Sequence, residues 1–238
     1  MKQEFLKLDW DSIFFDFNVG RINGSIKKEQ DLQRIEVLIE EKNNKLCYYS
    51  TNKELPTFVF ESKSLDFVLV DKKTTYSKII NSELEINKSI STVDNKISKE
   101  KLIELAIQSG VYSRFNVDKK IGKEKFEEMY SLWMINSINH KIAKEVFIIT
   151  ENKEIVGFVT LGEKNKRADI GIIAVDNIFR GKGIGKTLMT SAEKWFSNSG
   201  YSSIQVVTQG DNIPACKLYE SCGYKKESVE LFYHIWKK

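Results

Sequence analysis

Ile170 to Ser191 reads IGIIAVDNIFRGKGIGKTLMTS, and no other stretch of the 238 residues restricts the fold as tightly. The apolar run Ile170-Gly171-Ile172-Ile173-Ala174-Val175 has the length of a buried strand. Asp176 to Phe179 is a short connection, and Arg180-Gly181-Lys182-Gly183-Ile184-Gly185 is a glycine-rich turn. From Lys186 onward Leu188, Met189, Ala192, Trp195 and Phe196 fall at helical spacing. Strand, glycine turn and helix start together make an anion site. Glycine lets the backbone approach a ligand. The first-turn N–H groups have no partner inside the helix, and the dipole there favours negative charge. Arg180, Lys182 and Lys186 add positive charge. The stretch therefore predicts a phosphate-bearing ligand. A turn that needs its glycines only for packing is the competing reading, and the interleaved cations count against it.

Two common phosphate fingerprints fail here. A Walker A loop needs glycine five positions before the glycine of Gly185-Lys186-Thr187, where Arg180 stands. A dinucleotide loop needs G-x-G-x-x-G, but the third glycine, Gly185, arrives one residue early. The spelling that remains, Arg180-x-x-Gly183-x-Gly185 behind an apolar strand, resembles the acyl-CoA pyrophosphate loop of the GNAT superfamily of N-acetyltransferases.

Composition narrows the classes. Hydrophobic content of 41% and charged content of 29% fit an ordinary globular chain. The formal net charge of +4 is too small, and its lysines too scattered, for a nucleic-acid groove. No apolar run approaches the ~18 residues of a membrane span. An acidic N-terminus without an apolar signal core leads us to expect a cytoplasmic protein. Cys47, Cys216 and Cys222 have no zinc spacing, and His140 and His234 are the only histidines, so no metal is expected.

Taken in order, Phe5 to Phe15 is aromatic-dense and is expected to tuck into a core. Val19–Ile26, Leu46–Ser50, Thr57–Glu61 and Leu65–Val70 read as strands, and Asp31–Lys42 as a helix. Ile79 to Val93 is polar and weakly patterned. We therefore place a domain joint near residue 94, giving a small α/β domain over 1–94 and a second domain over 95–238. Ser98 reads as an N-cap and Gly110 as a stop for a helix between them. Val111–Asp118 reads as a loop and Lys123–Asn139 as a second amphipathic helix. Val146–Thr150 and Ile155–Leu161 are strands. After the glycine turn and its helix come strand Ser203–Thr208, a helix begun by Asn212 and Pro214, and strand Val229–Trp236. The fold class is α/β with a mixed sheet.

Helix, helix, three strands, glycine loop, helix, strand, helix, strand is the element order of the GNAT fold. Ala174-Val175, Asn212-x-x-Ala215-x-x-x-Tyr219 and Tyr219-Glu220-x-x-Gly223-Tyr224 are similar to that superfamily's local spellings. A closer resemblance is to the bacterial dTDP-fucosamine acetyltransferases, which act on a dTDP-linked 4-amino-4,6-dideoxygalactose. It rests on Trp10-x-x-x-Phe14-Phe15, Ser113-Arg114-Phe115, Ile170-Gly171-Ile172, Trp195 and Val207-Thr208-Gln209-x-x-Asn212. The connection Ala174–Phe179 departs from those relatives in being longer.

The resemblance implies an acetyl-CoA (or other acyl-CoA) N-acyltransferase for a nucleotide-linked amino sugar, in surface glycan or polysaccharide biosynthesis. The pantetheine would lie along Ile173, Ala174 and Val175. The pyrophosphate would sit on Arg180, Gly181, Lys182, Gly183, Ile184, Gly185 and Lys186, with Asn212 holding the CoA arm. A β-bulge would splay the central strand from Ser203–Thr208 and leave an N–H near Ile173 as an oxyanion donor. Tyr219 stands where the family keeps its general acid. The base stays open among Asp169, Glu163, His140 and a solvent chain; strict alternation puts Asp169 on one face with Gly171 and Ile173, but the resembling sugar enzymes have no acid at that position, which counts against it. Arg114 is the candidate for the acceptor's diphosphate, against the reading of a surface arginine beside a packed Phe115. A protein N-terminus, polyamine or antibiotic amine is the alternative acceptor, and a non-catalytic acyl-CoA-binding module the alternative class. A homodimer is left open.

Overall fold

The structure, a computed structural model, describes residues 3–80, 83, 85–93 and 97–238. In chain order the elements are β1 (Glu4–Lys7), α1 (Asp9–Phe15), β2 (Val19–Asn23), α2 (Glu29–Glu41), β3 (Leu46–Thr51), β4 (Leu65–Ile79), β5 (Ile90–Thr92) and α3 (Lys99–Ser109). Then come α4 (Arg114–Val117), α5 (Lys123–Ile138), β6 (Glu145–Glu151), β7 (Glu154–Lys164), β8 (Arg167–Val175), α6 (Ile184–Asn198), β9 (Ser203–Gln209), α7 (Ile213–Ser221) and β10 (Lys225–Lys237). Caps fall where the side chains dictate. Ser98 accepts the Lys101 N–H ahead of α3, Gly110 ends that helix, and Asn212 accepts the Ala215 N–H ahead of α7. Among the described residues no helix is long and apolar enough to cross a membrane.

By contact the chain forms two units, Met1–Lys73 with Val229–Lys238, and Thr74–Ser228. In the first, the strand order is β1-β2-β3-β10-β4, with β2 and β3 parallel and β3 and β10 antiparallel. Its core gathers Ile35 and Ile39 of α2 with Ile22, Cys47, Tyr49 and Ile235. In the second unit the order is β4-β9-β8-β7-β6-β5, antiparallel from β5 to β8 and parallel between β8 and β9. Leu188, Met189, Ala192 and Phe196 of α6 pack over Ile170, Ile204 and Val206, while α3 packs on β8 and on α5.

The joint expected near residue 94 lies outside the described residues, and the division by contact falls elsewhere. β4 is one strand of fifteen residues whose first nine belong to the first unit and whose last six belong to the second. β10 likewise starts in the second unit and ends in the first. Three expectations change. Thr57–Glu61 is a 3-10 turn behind Pro56, with only Val59 buried, and not a strand. Val111–Asp118 is not an open loop: Gly110–Tyr112 and Arg114–Val117 are short helical turns, the second capped by Ser113. The N-terminal aromatics are not all core. Phe15 is buried, but Trp10 is 48% and Ile13 82% exposed, with Trp10 stacked on Phe14 at 5.3 Å. The short α1 has only one buried face to offer them.

Candidate active site

The centre of the second unit is a defect in the ladder between β7 and β8. Leu161 faces Ile170 and Val159 faces Ile173, so Gly171 and Ile172 together oppose Thr160. The extra residue makes this a β-bulge. The Ile172 N–H, lost to the ladder, donates to Thr160 Oγ1 at 2.8 Å. A Cβ on Gly171 would lie 2.6 Å from that same oxygen, which is why glycine stands there. The bulge also reverses the alternation along β8. Ala168 and Ile170 pack into the core under α6, and beyond the bulge Ile173 and Val175 do so. Asp169 therefore does not share a face with Ile173, as strict alternation predicted.

On its other side β8 pairs with β9 at Ala168↔Ile204, Asp169↔Gln205 and Ile170↔Val206, and the pairing ends there although both strands continue. The two parallel strands fork, and loops leave their carboxyl ends on either side of a crevice, the place where parallel sheets take ligands. Asp176 donates its N–H to Val156 O of β7 at 2.9 Å. Backbone groups alternate direction along an antiparallel ladder. The N–H and C=O of Ile173 and Val175 consequently point into the fork, and those of Ala174 point to β7. At the closed end Gln205 Nε2 donates to Asp169 Oδ1 at 2.8 Å. Burial raises the Asp169 carboxyl above its ordinary range, with the Gln205 hydrogen bond working against that rise.

The glycine turn sits at the fork's open end. Gly181 and Gly183 take left-handed φ of 80° and 83°, and Gly183 is the N-cap residue of α6. The first-turn N–H groups of Ile184, Gly185 and Lys186 have no intrahelical acceptor. The Ile184 side chain is buried in the core, so only its backbone is available to a ligand. Gly185 sits against Leu218 of α7. Lys186 is exposed, and Lys182 Nζ lies 4.6 Å above the Phe179 ring. Arg180 reaches back to the end of β8 and across to α3. Its Nε donates to Val175 O at 3.1 Å and its Nη2 to Gln108 Oε1 of α3 at 3.3 Å. Asp176 anchors the connection by accepting the Ile178 N–H at 3.2 Å and pairing with Lys101 Nζ at 2.8 Å. That ion pair holds the Asp176 carboxyl below its usual range.

α7 leaves β9 across the same end. Asn212 caps it, and Tyr219 is 3% exposed, its ring 5.7 Å from Tyr76 and 6.3 Å from Tyr224. Burial pushes the Tyr219 phenol well above its ordinary pKa, so it stays protonated. Arg114 opens α4 and lies 4.4 Å over the ring of its neighbour Phe115. Glu163 is held by Lys144 at 2.8 Å and by the Tyr201 hydroxyl, and His140 Nδ1 lies 3.2 Å from Lys144 O. Of the three base candidates, only Asp169 stands at the fork. Thr160 and Gln205 were not legible as site residues. Each is a single polar residue in an apolar strand, and its partner is set by the bulge and by strand pairing.

The profile of the Acetyltransferase (GNAT) family matches residues 101–224, just over half of the chain. The spore coat polysaccharide biosynthesis protein SpsD of Bacillus subtilis is 26% identical over 137 residues, 58% of this chain and 47% of that protein. The chain thus spans about half the length of that relative. The dTDP-fucosamine acetyltransferase of Escherichia coli O6:H1 is 27% identical over 70% of this chain and 71% of its own length. In fold, a GCN5-related N-acetyltransferase from Sphaerobacter thermophilus aligns with a TM-score of 0.57 at 12% identity, over 98% of this chain and 76% of that one. With a forked parallel pair, a glycine loop at its mouth and a family match that covers both, the chain belongs to the GNAT acetyltransferase family.

Proposed function

We propose that the protein moves an acetyl group from acetyl-CoA to the amine of a nucleotide-linked amino sugar, with a dTDP sugar of surface glycan synthesis as the acceptor. The observation that carries the donor half is the fork. Its open edge offers the Ile173 backbone groups and the Val175 N–H to the pantetheine amides, the Val175 carbonyl being taken by Arg180, and the N–H groups around Gly183 and Lys186 face the pyrophosphate. Asn212 adds a side-chain contact to the CoA arm. The acceptor half is supported by two relatives whose names refer to a dTDP-linked amino sugar and to a polysaccharide.

In this reading Asp169 takes a proton from the acceptor ammonium at the closed end of the fork, and Gln205 keeps its carboxylate oriented. The free amine attacks the thioester carbonyl while the Ile173 N–H stabilises the developing oxyanion, an interaction worth about 3 kcal/mol. The C–S bond breaks, Tyr219 donates its phenolic proton to the departing thiolate, and solvent returns that proton. Arg114 binds the acceptor's diphosphate. Mass spectrometry of acetyl-CoA incubated with a panel of dTDP- and UDP-amino sugars tests the proposal. An acetylated dTDP sugar is the expected product. CoA binding without acetylation of any sugar would overturn the acceptor, and acetylation of a polyamine or peptide N-terminus would replace it.

A further inference from the structure

Tyr76 lies in β4, outside the residues matched by the family profile, and is completely buried. Its hydroxyl donates to Glu220 Oε1 at 2.9 Å, and it also interacts with the Cys216 thiol. Its ring lies 5.7 Å from that of Tyr219, tilted by 55°. Cys216, Tyr219 and Glu220 are spaced i, i+3, i+4 on one face of α7. One side chain therefore touches all three. Two residues along the same strand, Lys78 donates to Cys222 O, the carbonyl at the C-terminal end of α7, at 2.7 Å. The same ammonium pairs with the buried Glu193 of α6 at 2.8 Å. The last six residues of β4 thus hold α7 at its middle and at its end. Those two points fix how far the helix slides and how it rolls, and both decide where the Tyr219 phenol points.

We propose that Tyr76 is a positioning residue: its ring and its Glu220 hydrogen bond set the direction of the Tyr219 hydroxyl toward the leaving thiolate. The inference rests on Tyr219 being the acid. It assigns a role to a strand that precedes the family-matched region, and it makes Glu220, exposed as a residue but with its carboxylate on the Tyr76 hydroxyl, part of the same device. Small displacements of a proton donor are costly, because a shift of about 1 Å lowers rates by about 10²-fold.

The test measures CoA release from acetyl-CoA with dTDP-4-amino-4,6-dideoxygalactose as acceptor, together with calorimetric CoA binding. Tyr76→Phe keeps the buried ring and removes only the hydroxyl. We expect kcat to fall about tenfold with CoA affinity unchanged, and Glu220→Ala to reproduce that loss. In a Tyr219→Phe background neither substitution should lower kcat further. A loss of equal size in that background would overturn the inference, since Tyr76 would then only support the fold. Wild-type turnover in both single variants would overturn it as well. Wild-type turnover in Tyr219→Phe alone would remove the acid assignment itself, an outcome distinguishable from the others because it needs no change at Tyr76.

Discussion

The Thr160 hydroxyl accepts the Ile172 N–H at 2.8 Å and is the atom that a Cβ on Gly171 would strike at 2.6 Å. One oxygen thus both stabilises the bulge and excludes any larger residue from it. Thr160→Ala leaves a backbone donor without its acceptor, at a cost of about 1–3 kcal/mol. Gly171→Ala forces the oxygen aside. With both changes the clash is gone. The double variant should melt higher than the sum of the single losses predicts, and additive melting temperatures would show that the clash is relieved elsewhere.

Gly183 takes φ 83°, a region that β-branched residues rarely enter. Gly183→Val should abolish acetyl-CoA binding, because the first turn of α6 reorients and the ligand's approach to the backbone is blocked. Calorimetry reads this directly, and wild-type affinity would refute the loop as a pyrophosphate site.

Tyr219→Phe removes the proposed acid but keeps the ring between Tyr76 and Tyr224. Turnover should fall by about 10²-fold, the lower end of general-acid effects, with CoA affinity unchanged. Equal losses in kcat and in affinity would make the residue structural.

Asp169 links activity and stability with opposite signs. Only its carboxylate accepts a proton, and its folded pKa is raised, so the rate should climb with pH through that elevated value. Stability runs the other way. A group raised in the folded state contributes fully below its unfolded pKa of about 3.9, and the contribution is lost as pH rises through the folded value. At pH 7 Asp169→Asn should therefore remove the acid limb of the pH–rate profile while leaving the melting temperature equal or higher. A variant that keeps the acid limb would exclude Asp169 as the base.

Local chemistry made much of this fold legible. Ser98 and Gly110 bracket a helix because the caps are short-range devices, and the glycine turn is spelled in consecutive residues. The extension of β4 beyond Val70 was not legible. Asp71-Lys72-Lys73-Thr74-Thr75-Tyr76-Ser77-Lys78 is polar, and it is a strand because Thr74 and Tyr76 are buried by elements far along the chain. Thr57-Phe58-Val59-Phe60-Glu61 has the composition of a strand, yet Pro56 and a single buried side chain leave it a turn. The face of Asp169 was misread because one inserted residue, invisible to periodicity, reverses every side chain after it.

The run of β4 through both units has a consequence for anyone who trims this protein. A fragment cut to the family-matched region would lose Thr74–Ile79, the neighbour of β9. Its sheet would then present a bare row of N–H and C=O groups along β9, a template for sticking to other copies. The residues that look like a dispensable prologue act as a donated strand. Supplying that strand back as a separate peptide should rescue the fragment's solubility, in the manner of pilin chaperones.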